Sequence, residues 1–289
     1  MASCFTLLLG LLLASASGTA PRPLPVATWG GKRVLVITAH PDDAEGFAGG
    51  LIRTLQLQGD IAVEYLIVTS GNAGGRCYNA TAFYDCEKEE IAFTRRREAK
   101  AAAAFLGVSR VNRLGIGDGM SIAVHETRMR RAIAAYTRRF RPHIVFTHSP
   151  EPDFAAPPTC NGACAAPRNW DDLGYHPDHQ HVGKIAFTAL YGGGSAVDND
   201  LVFEDLSSSA GAALEKWHVE QLYFFALTAK PMTHFLELND NLLGAKVNSS
   251  SLHKSQYQGI PPWETFQFVA EQAGKVAGVP LAEGYQAWF

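Results

Sequence analysis

In the stretch ITAHPDDAEGFAGG, residues 37–50, one histidine and three carboxylates fall within six positions: His40, Asp42, Asp43 and Glu45. An apolar run precedes them and glycines follow, which places the cluster where a buried strand ends. Adjacent aspartates repel each other, and a cation beside them would offset that repulsion. A second cluster, HPDHQH at 176–181, supplies His176, Asp178, His179 and His181. Two histidines and one aspartate drawn from the two clusters meet the needs of a catalytic zinc site, which takes three protein ligands and keeps one position open. A carboxylate left beside the ion can accept a proton from a water that the ion acidifies. The chemistry these residues suit is metal-assisted hydrolysis. Helix capping is the plain alternative for Asp42 and Asp43, and it needs neither His40 nor the second cluster.

The elements that must bring the clusters together follow from periodicity. KRVLVITA (32–39) is short, β-branched and continuously apolar, a buried strand; IAVEYLIVTS (61–70) and HIVFTH (143–148) read the same way. Helical spacing runs from Glu45 to Leu57, with Phe47, Leu51 and Leu55 four apart. A long helix ends in RRREAKAAAAFLG with Gly107 as its stop. Met129, Ile133, Tyr136 and Phe140 mark another helix, closed by Arg141-Pro142, and Pro177 starts one that runs through Leu190. Strands alternating with helices predict an α/β fold: a Rossmann-like, doubly wound, mostly parallel sheet with helices on both faces, in one domain. Ligands then bind outside the carboxyl ends of the strands, where the opening motif, TSGNAGG (69–75) and HSPEPD (148–153) all lie.

The chain has 289 residues, 47% hydrophobic and 18% charged, with net charge -3, so no basic face argues for nucleic acid as a partner. Phe5 to Leu13 is a short apolar run followed by the small residues Ala14-Ser15-Ala16 and Gly18-Thr19-Ala20. That pattern predicts a signal peptide over 1–20, although its start carries no Lys or Arg; an uncleaved membrane anchor is the alternative. A Pro-rich leader over 21–31 and a single domain over 32–289 would follow, with no membrane span once the signal is removed. The expected product is a secreted protein. Cys77, Cys86, Cys160 and Cys164 remain outside the signal segment, and in an oxidising compartment their spacing favours the disulfides 77–86 and 160–164 among three possible pairings. A cysteine zinc site is the other reading, which no CxxC spacing supports. Asn79 and Asn248 lie in sequons open to glycosylation.

AHPDDAE paired with HPDH across a Rossmann-like segment resembles the PIG-L/LmbE-like zinc-dependent de-N-acetylases, which remove acetyl groups from N-acetylglucosamine-containing substrates. The resemblance runs from about Lys32 to Gln258. TSGNAGG is similar to the loop after the family's second strand, RRREAKAAAAFLGV to its Arg-x-x-Glu helix, and LHKSQYQG to its late His-x-Ser-Gln segment, while LGIGDGM carries the matching Asp118. The resemblance implies one Zn2+ per chain on His40, Asp43 and His179. It implies Asp42 as the general base and His176 as the residue that stabilises the oxyanion and protonates the departing amine, with Asp178 orienting or charge-tuning His176. Arg95, Asp118 and Asn72 match positions near the substrate. The implied partner is an N-acetylated amino sugar.

Several features depart from that pattern or carry a plainer reading. Glu45 stands one residue beyond the family's usual acid, Asn72 replaces a Glu common in bacterial members, and the insert 151–172 has no counterpart. Arg95 could form an i,i+3 pair with Glu98 on a solvated helix, and Asp118 could be a turn residue between Gly117 and Gly119. His181 is assigned to the surface or to the surroundings of the site. His125, His143, His148, His218, His234 and His253 receive only packing or surface roles, His253 gaining weight from the late motif. The function expected is a secreted zinc de-N-acetylase. Its rivals are another zinc amidohydrolase, such as an aminoacylase or conjugate amidase, and a non-catalytic carbohydrate-binding protein.

Overall fold

The computed structural model describes residues 19–74, 88–119, 125–151, 176–192, 214–226, 232–257 and 260–288. The apolar run after Lys32 forms β2 (Arg33–Thr38), with five of its six residues buried, as expected for a strand covered on both faces. Beside it lie β3 (Ala62–Thr69) and β5 (Ile144–Thr147), both parallel to it. The remaining strands are β1 (Arg22–Pro23), β4 (Arg110–Ile116), β6 (Gln221–Phe225), β7 (His234–Glu237) and β8 (Ala282–Trp288). They form one eight-stranded sheet in the order β1-β7-β8-β6-β5-β2-β3-β4, parallel throughout except for β8, which runs antiparallel to both β6 and β7.

Alternate residues of β2 serve two cores. Val34 and Val36 pack with α1 (Asp43–Gln58), α2 (Lys88–Leu106), α5 (Asp240–Ser251) and α7 (Trp263–Ala277) through Leu51, Ala99, Val247 and Phe266. Leu35 and Ile37 face α3 (Glu126–Phe140) and α4 (Pro177–Tyr191) through Ile133 and Ile185. A short helix, α6 (Lys254–Tyr257), follows α5. The doubly wound, mostly parallel architecture expected from the alternation is the one observed. Strands β2, β3 and β5 and helices α1 to α4 coincide with the segments read from periodicity. Gly107 (φ 101°) and Arg141 (φ 56°) adopt the left-handed conformation where α2 and α3 were expected to stop.

The Pro-rich segment 21–31 packs against the sheet. Arg22–Pro23 pairs with β7, and Trp29 is 1% exposed against Phe146 and Tyr223. Residues 1–18, Cys77, Cys86, Cys160, Cys164, Asn79 and most of the insert 151–172 lie outside the described residues. Asn248 is exposed on α5, while the hydroxyl of its sequon partner Ser250 is buried. Among the described residues no helix is long and apolar enough to cross a membrane. Because Trp29 fills the core beneath β5 and β6, Trp29→Ala is expected to cost about 3–5 kcal/mol. Denaturant unfolding followed by circular dichroism measures that loss.

Candidate metal centre

The two histidine motifs meet at the carboxyl end of β2. The turn after β2 is fixed by the His40 backbone N–H, which donates to Asp43 Oδ2 at 2.7 Å, and α1 then starts on Asp43 itself. Pro177 occupies the first turn of α4, and the imidazole of His176 caps that helix by accepting the Asp178 N–H at Nδ1 (3.2 Å). His40 Nδ1 lies 3.1 Å from His179 Nε2 and 3.6 Å from Asp43 Oδ2, and His179 Nε2 lies 3.2 Å from Asp43 Oδ1. A tetrahedral ion bonded at about 2.1 Å separates its ligand atoms by about 3.4 Å. The three side chains expected to bind the metal therefore already stand at ligand spacing. His176 joins His40 and His179 within the same few ångströms, its ring 4.5 Å from that of His40.

The far nitrogen of His40 is also committed. Nε2 lies 3.0 Å from Asp118 Oδ1 and 3.5 Å from Asp178 Oδ2, the carboxylate–histidine arrangement that orients a metal-binding ring. Asp118 is placed in turn by Asn72, whose Oδ1 accepts the Asp118 N–H at 2.9 Å, and Asp178 Oδ2 accepts the Gly119 N–H at 2.9 Å. Asp118 and Asn72, matched by resemblance to substrate positions, thus form a brace behind His40. The Asp178 carboxylate sits beside His40, and it is the Asp178 backbone that orients His176. Since Nδ1 of His176 accepts a hydrogen bond, the ring proton belongs on Nε2, and a neutral imidazole suffices as a donor there. Burial opposes charge on His40, but Asp43, Asp118 and Asp178 outweigh it and raise its pKa well above the usual value. Asp43 is held well below the ordinary carboxylate range: burial pushes it up, and His179, His40 and His148 more than reverse this. These carboxylates call for positive charge at one point, which a proton or a divalent cation supplies.

Asp42 makes no side-chain cap to α1, so the capping alternative fails. Its Oδ1 instead accepts Arg95 Nη2 at 2.6 Å. Arg95 is 3% exposed, and its Nη1 donates to the carbonyls of Gly71 (2.9 Å) and Gly74 (3.4 Å). Gly71 has φ 66°, and a Cβ there would sit 2.7 Å from the guanidinium, so the loop closes on Arg95 only because residue 71 is glycine. Glu98, 4% exposed, accepts the Ser255 N–H and hydroxyl at 2.9 and 2.5 Å. Both residues are buried, which excludes the solvated-helix pair.

Four participants were not legible as such. His148, at the end of β5, is 2% exposed; its Nε2 stands 3.0 Å from Asp43 Oδ2 and 3.1 Å from Ala39 N, and its ring stacks on His179 at 4.1 Å and 7°. Burial, then the charge of His179, pushes His148 down to about 3 against the pull of Asp43, so it is neutral at physiological pH. The polar strand end HSPEPD was its available signal. Phe47 sets its ring edge-on to His148 and His179. Glu45 and His253, both fully buried, pair at 3.1 Å across 208 residues of sequence. His181 turns away and pairs within α4 with the Pro177 carbonyl.

Residues 35–159 match the family described as GlcNAc-PI de-N-acetylase, PIG-L. A relative, the diacetylchitobiose deacetylase of Thermococcus kodakarensis, is 29% identical over 259 residues, covering 88% of this chain and 82% of that protein. The chain is thus similar to the PIG-L family over residues 35–159 and to a deacetylase over most of its length. Among solved structures, the N,N'-diacetylchitobiose deacetylase from Pyrococcus horikoshii complexed with its inhibitor MPG superposes with a TM-score of 0.64 at 22% identity, covering 89% of this chain and 84% of that one. GalB, the 4-carboxy-2-hydroxymuconate hydratase of Pseudomonas putida, superposes with a TM-score of 0.59 at 22% identity, covering 89% and 96%. At those identities the two superpositions establish the fold, which in GalB carries a different reaction.

The raised His40 pKa has a thermodynamic consequence. Below that pKa the imidazole holds a proton that must leave before Nδ1 can bind an ion, so metal affinity rises with pH and is lost as pH falls. Calorimetric zinc titrations across roughly pH 6–8 are expected to show tightening affinity with release of about one proton at neutral pH. Buffers of different ionisation enthalpy count that proton.

Proposed function

We propose that the protein is a zinc-dependent hydrolase that removes the acetyl group from an N-acetylglucosamine-containing substrate, releasing acetate and a free amine. The observation that carries this reading is the pairing of the ligand triad with two further groups, a braced carboxylate and a histidine N–H donor. The similarity to a diacetylchitobiose deacetylase across most of both chains supports the substrate class. A zinc ion on His40, Asp43 and His179 would supply Lewis acidity, making a water more acidic and polarising the acetamide carbonyl.

The residues of the chain divide the remaining work. Arg95 holds Oδ1 of Asp42, so the carboxylate presents Oδ2 as base and takes the proton of the attacking water. His176, with Nδ1 occupied by the Asp178 N–H, turns Nε2–H to the oxygen on which negative charge develops. As the C–N bond breaks, the nitrogen recovers the proton held on Asp42, and the amine leaves neutral. Asp118 and Asp178 keep the His40 ring in register throughout.

We also take the chain to be exported after removal of residues 1–20, with Cys77–Cys86 and Cys160–Cys164 oxidised. The apolar start and the even number of remaining cysteines support this.

Incubation of the zinc-loaded protein with N,N'-diacetylchitobiose is expected to release acetate and one primary amine per turnover. No amine release from a panel of N-acetylated sugars would reject the reading. Asp42→Asn should retain metal while turnover drops about 10²–10⁴-fold, as for loss of a general base. His179→Ala should lose metal, whereas His176→Ala should keep it and slow by about 10²–10³ in kcat. Metal content and rate measured on the same preparations separate the two roles.

A further inference from the structure

Helix α1 is not continuous. Ala48 has φ -135° and ψ 21°, a break one residue past Phe47. In an unbroken helix the N–H groups of Gly50 and Leu51 would go to the carbonyls four residues earlier, at Gly46 and Phe47. Here Glu283 of β8 accepts both: Gly50 N donates to Oε1 at 2.9 Å and Leu51 N to Oε2 at 2.8 Å. The carboxylate thus acts as an N-cap from 232 residues away, its charge set against the positive end of the second half-helix. It is itself held by Lys246 Nζ at 2.7 Å and the Tyr285 hydroxyl at 2.9 Å, and Glu283 and Lys246 are 4% and 3% exposed. Glycines make room for this: a Cβ on Gly50 would fall 2.4 Å from Leu238, and one on Gly49 would fall 3.0 Å from the Lys246 backbone.

The half-helix before the break bears Asp43 and Phe47. Phe47 stacks on Phe225 at 5.0 Å and 16°, meets His148 and His179 edge-on, and shares the lining of one small cavity with Lys246 and Glu283. Two neighbouring supports therefore act on one short turn, the histidines on one side and the Glu283 cap on the other.

We propose that Glu283 is a positioning residue of the metal centre: by capping the second half of α1 it holds open the break at Ala48 and so sets the direction of the turn that carries Asp43. This rests on the reading of His40, Asp43 and His179 as metal ligands. Without the cap, Gly50 and Leu51 recover their hydrogen bonds by closing α1 into one continuous helix, which swings Asp43 and Phe47 away from His179. Lys246 neutralises the cap but does not touch the two N–H groups.

Competition with a chromophoric chelator gives the zinc affinity of each variant, and circular dichroism its folding. Lys246→Met keeps both N–H bonds to Glu283 but leaves its buried carboxylate without the ammonium, so it should be less stable yet, where folded, bind zinc within about threefold of wild type. Glu283→Gln/Lys246→Met avoids a lone buried ammonium, and its single amide oxygen can serve only one N–H. It should fold yet bind zinc about 10–100-fold more weakly, the usual loss when an outer partner of a metal site is removed. If the double variant does not fold, Glu283→Asp, which keeps the charge but withdraws the carboxylate by one methylene, should show a loss in the same range. A folded double variant or an Asp variant with wild-type affinity overturns the inference alone. Wild-type protein that takes up no divalent ion overturns the reading of the centre, and the inference with it.

Discussion

Asp42, Asp43, Asp118 and Asp178 bring four carboxyl groups to one end of a parallel sheet, and burial there makes uncompensated charge very costly. Much of the surrounding structure can be understood as the answer to that constraint. Asp42 has the Arg95 guanidinium; Asp43 has the His40 amide and three imidazoles; Asp118 and Asp178 have His40 Nε2 and the amides of the 72–73 and 118–119 turns. The compensating groups come from several elements, so the negative cluster ties α1, α2, α4 and the loops after β2, β3 and β4 into a single frame. A divalent cation would fit this arrangement, since His40 Nδ1, His179 Nε2 and the two Asp43 carboxylate oxygens lie within 3.1–3.6 Å of one another in pairs.

The frame also explains why the two aspartates of HPDD divide their work despite being adjacent. Asp43 is the first residue of α1 and points toward α4, while Asp42, one residue earlier, reaches α2. The two side chains are thereby separated in direction, and each is given a partner suited to it. A guanidinium fixes its carboxylate through one oxygen. Imidazoles can share theirs with an ion.

How much of this was legible in the sequence depends on the range of each interaction. Strands β2, β3 and β5 and helices α1 to α4 announce themselves in local periodicity, whereas β4 does not, and the two histidine motifs stand out because both are compact and chemically specific. The strands after residue 214 were not read: β6 and β7 are only five and four residues long, and β8 mixes Glu283 and Gln286 with its apolar residues. The prolines of 21–31 give no sign of the core contact that Trp29 makes. Partners at long range left no local mark. Nothing in HPDDAE says that Glu45 will meet His253, and nothing in RRRE says that Arg95 will be buried against Asp42. His148 lay in a strand end already marked as polar, but its ring stack on His179 depends on a register that one strand cannot reveal.

The position of β8 bears on the order in which the protein can be made. It is the last described strand in the chain, yet it lies inside the sheet and, among the described residues, is what joins β6 to the β7–β1 pair. While the ribosome is still adding α7, β6 has one edge open, and β7 with β1 has nothing to join. Such unpaired edges invite association between nascent chains. The sheet therefore closes late, by insertion of its final strand between two waiting neighbours. Synthesis that stalls a few residues short of β8 leaves a chain with every HPDD and HPDH residue in place and two sticky seams.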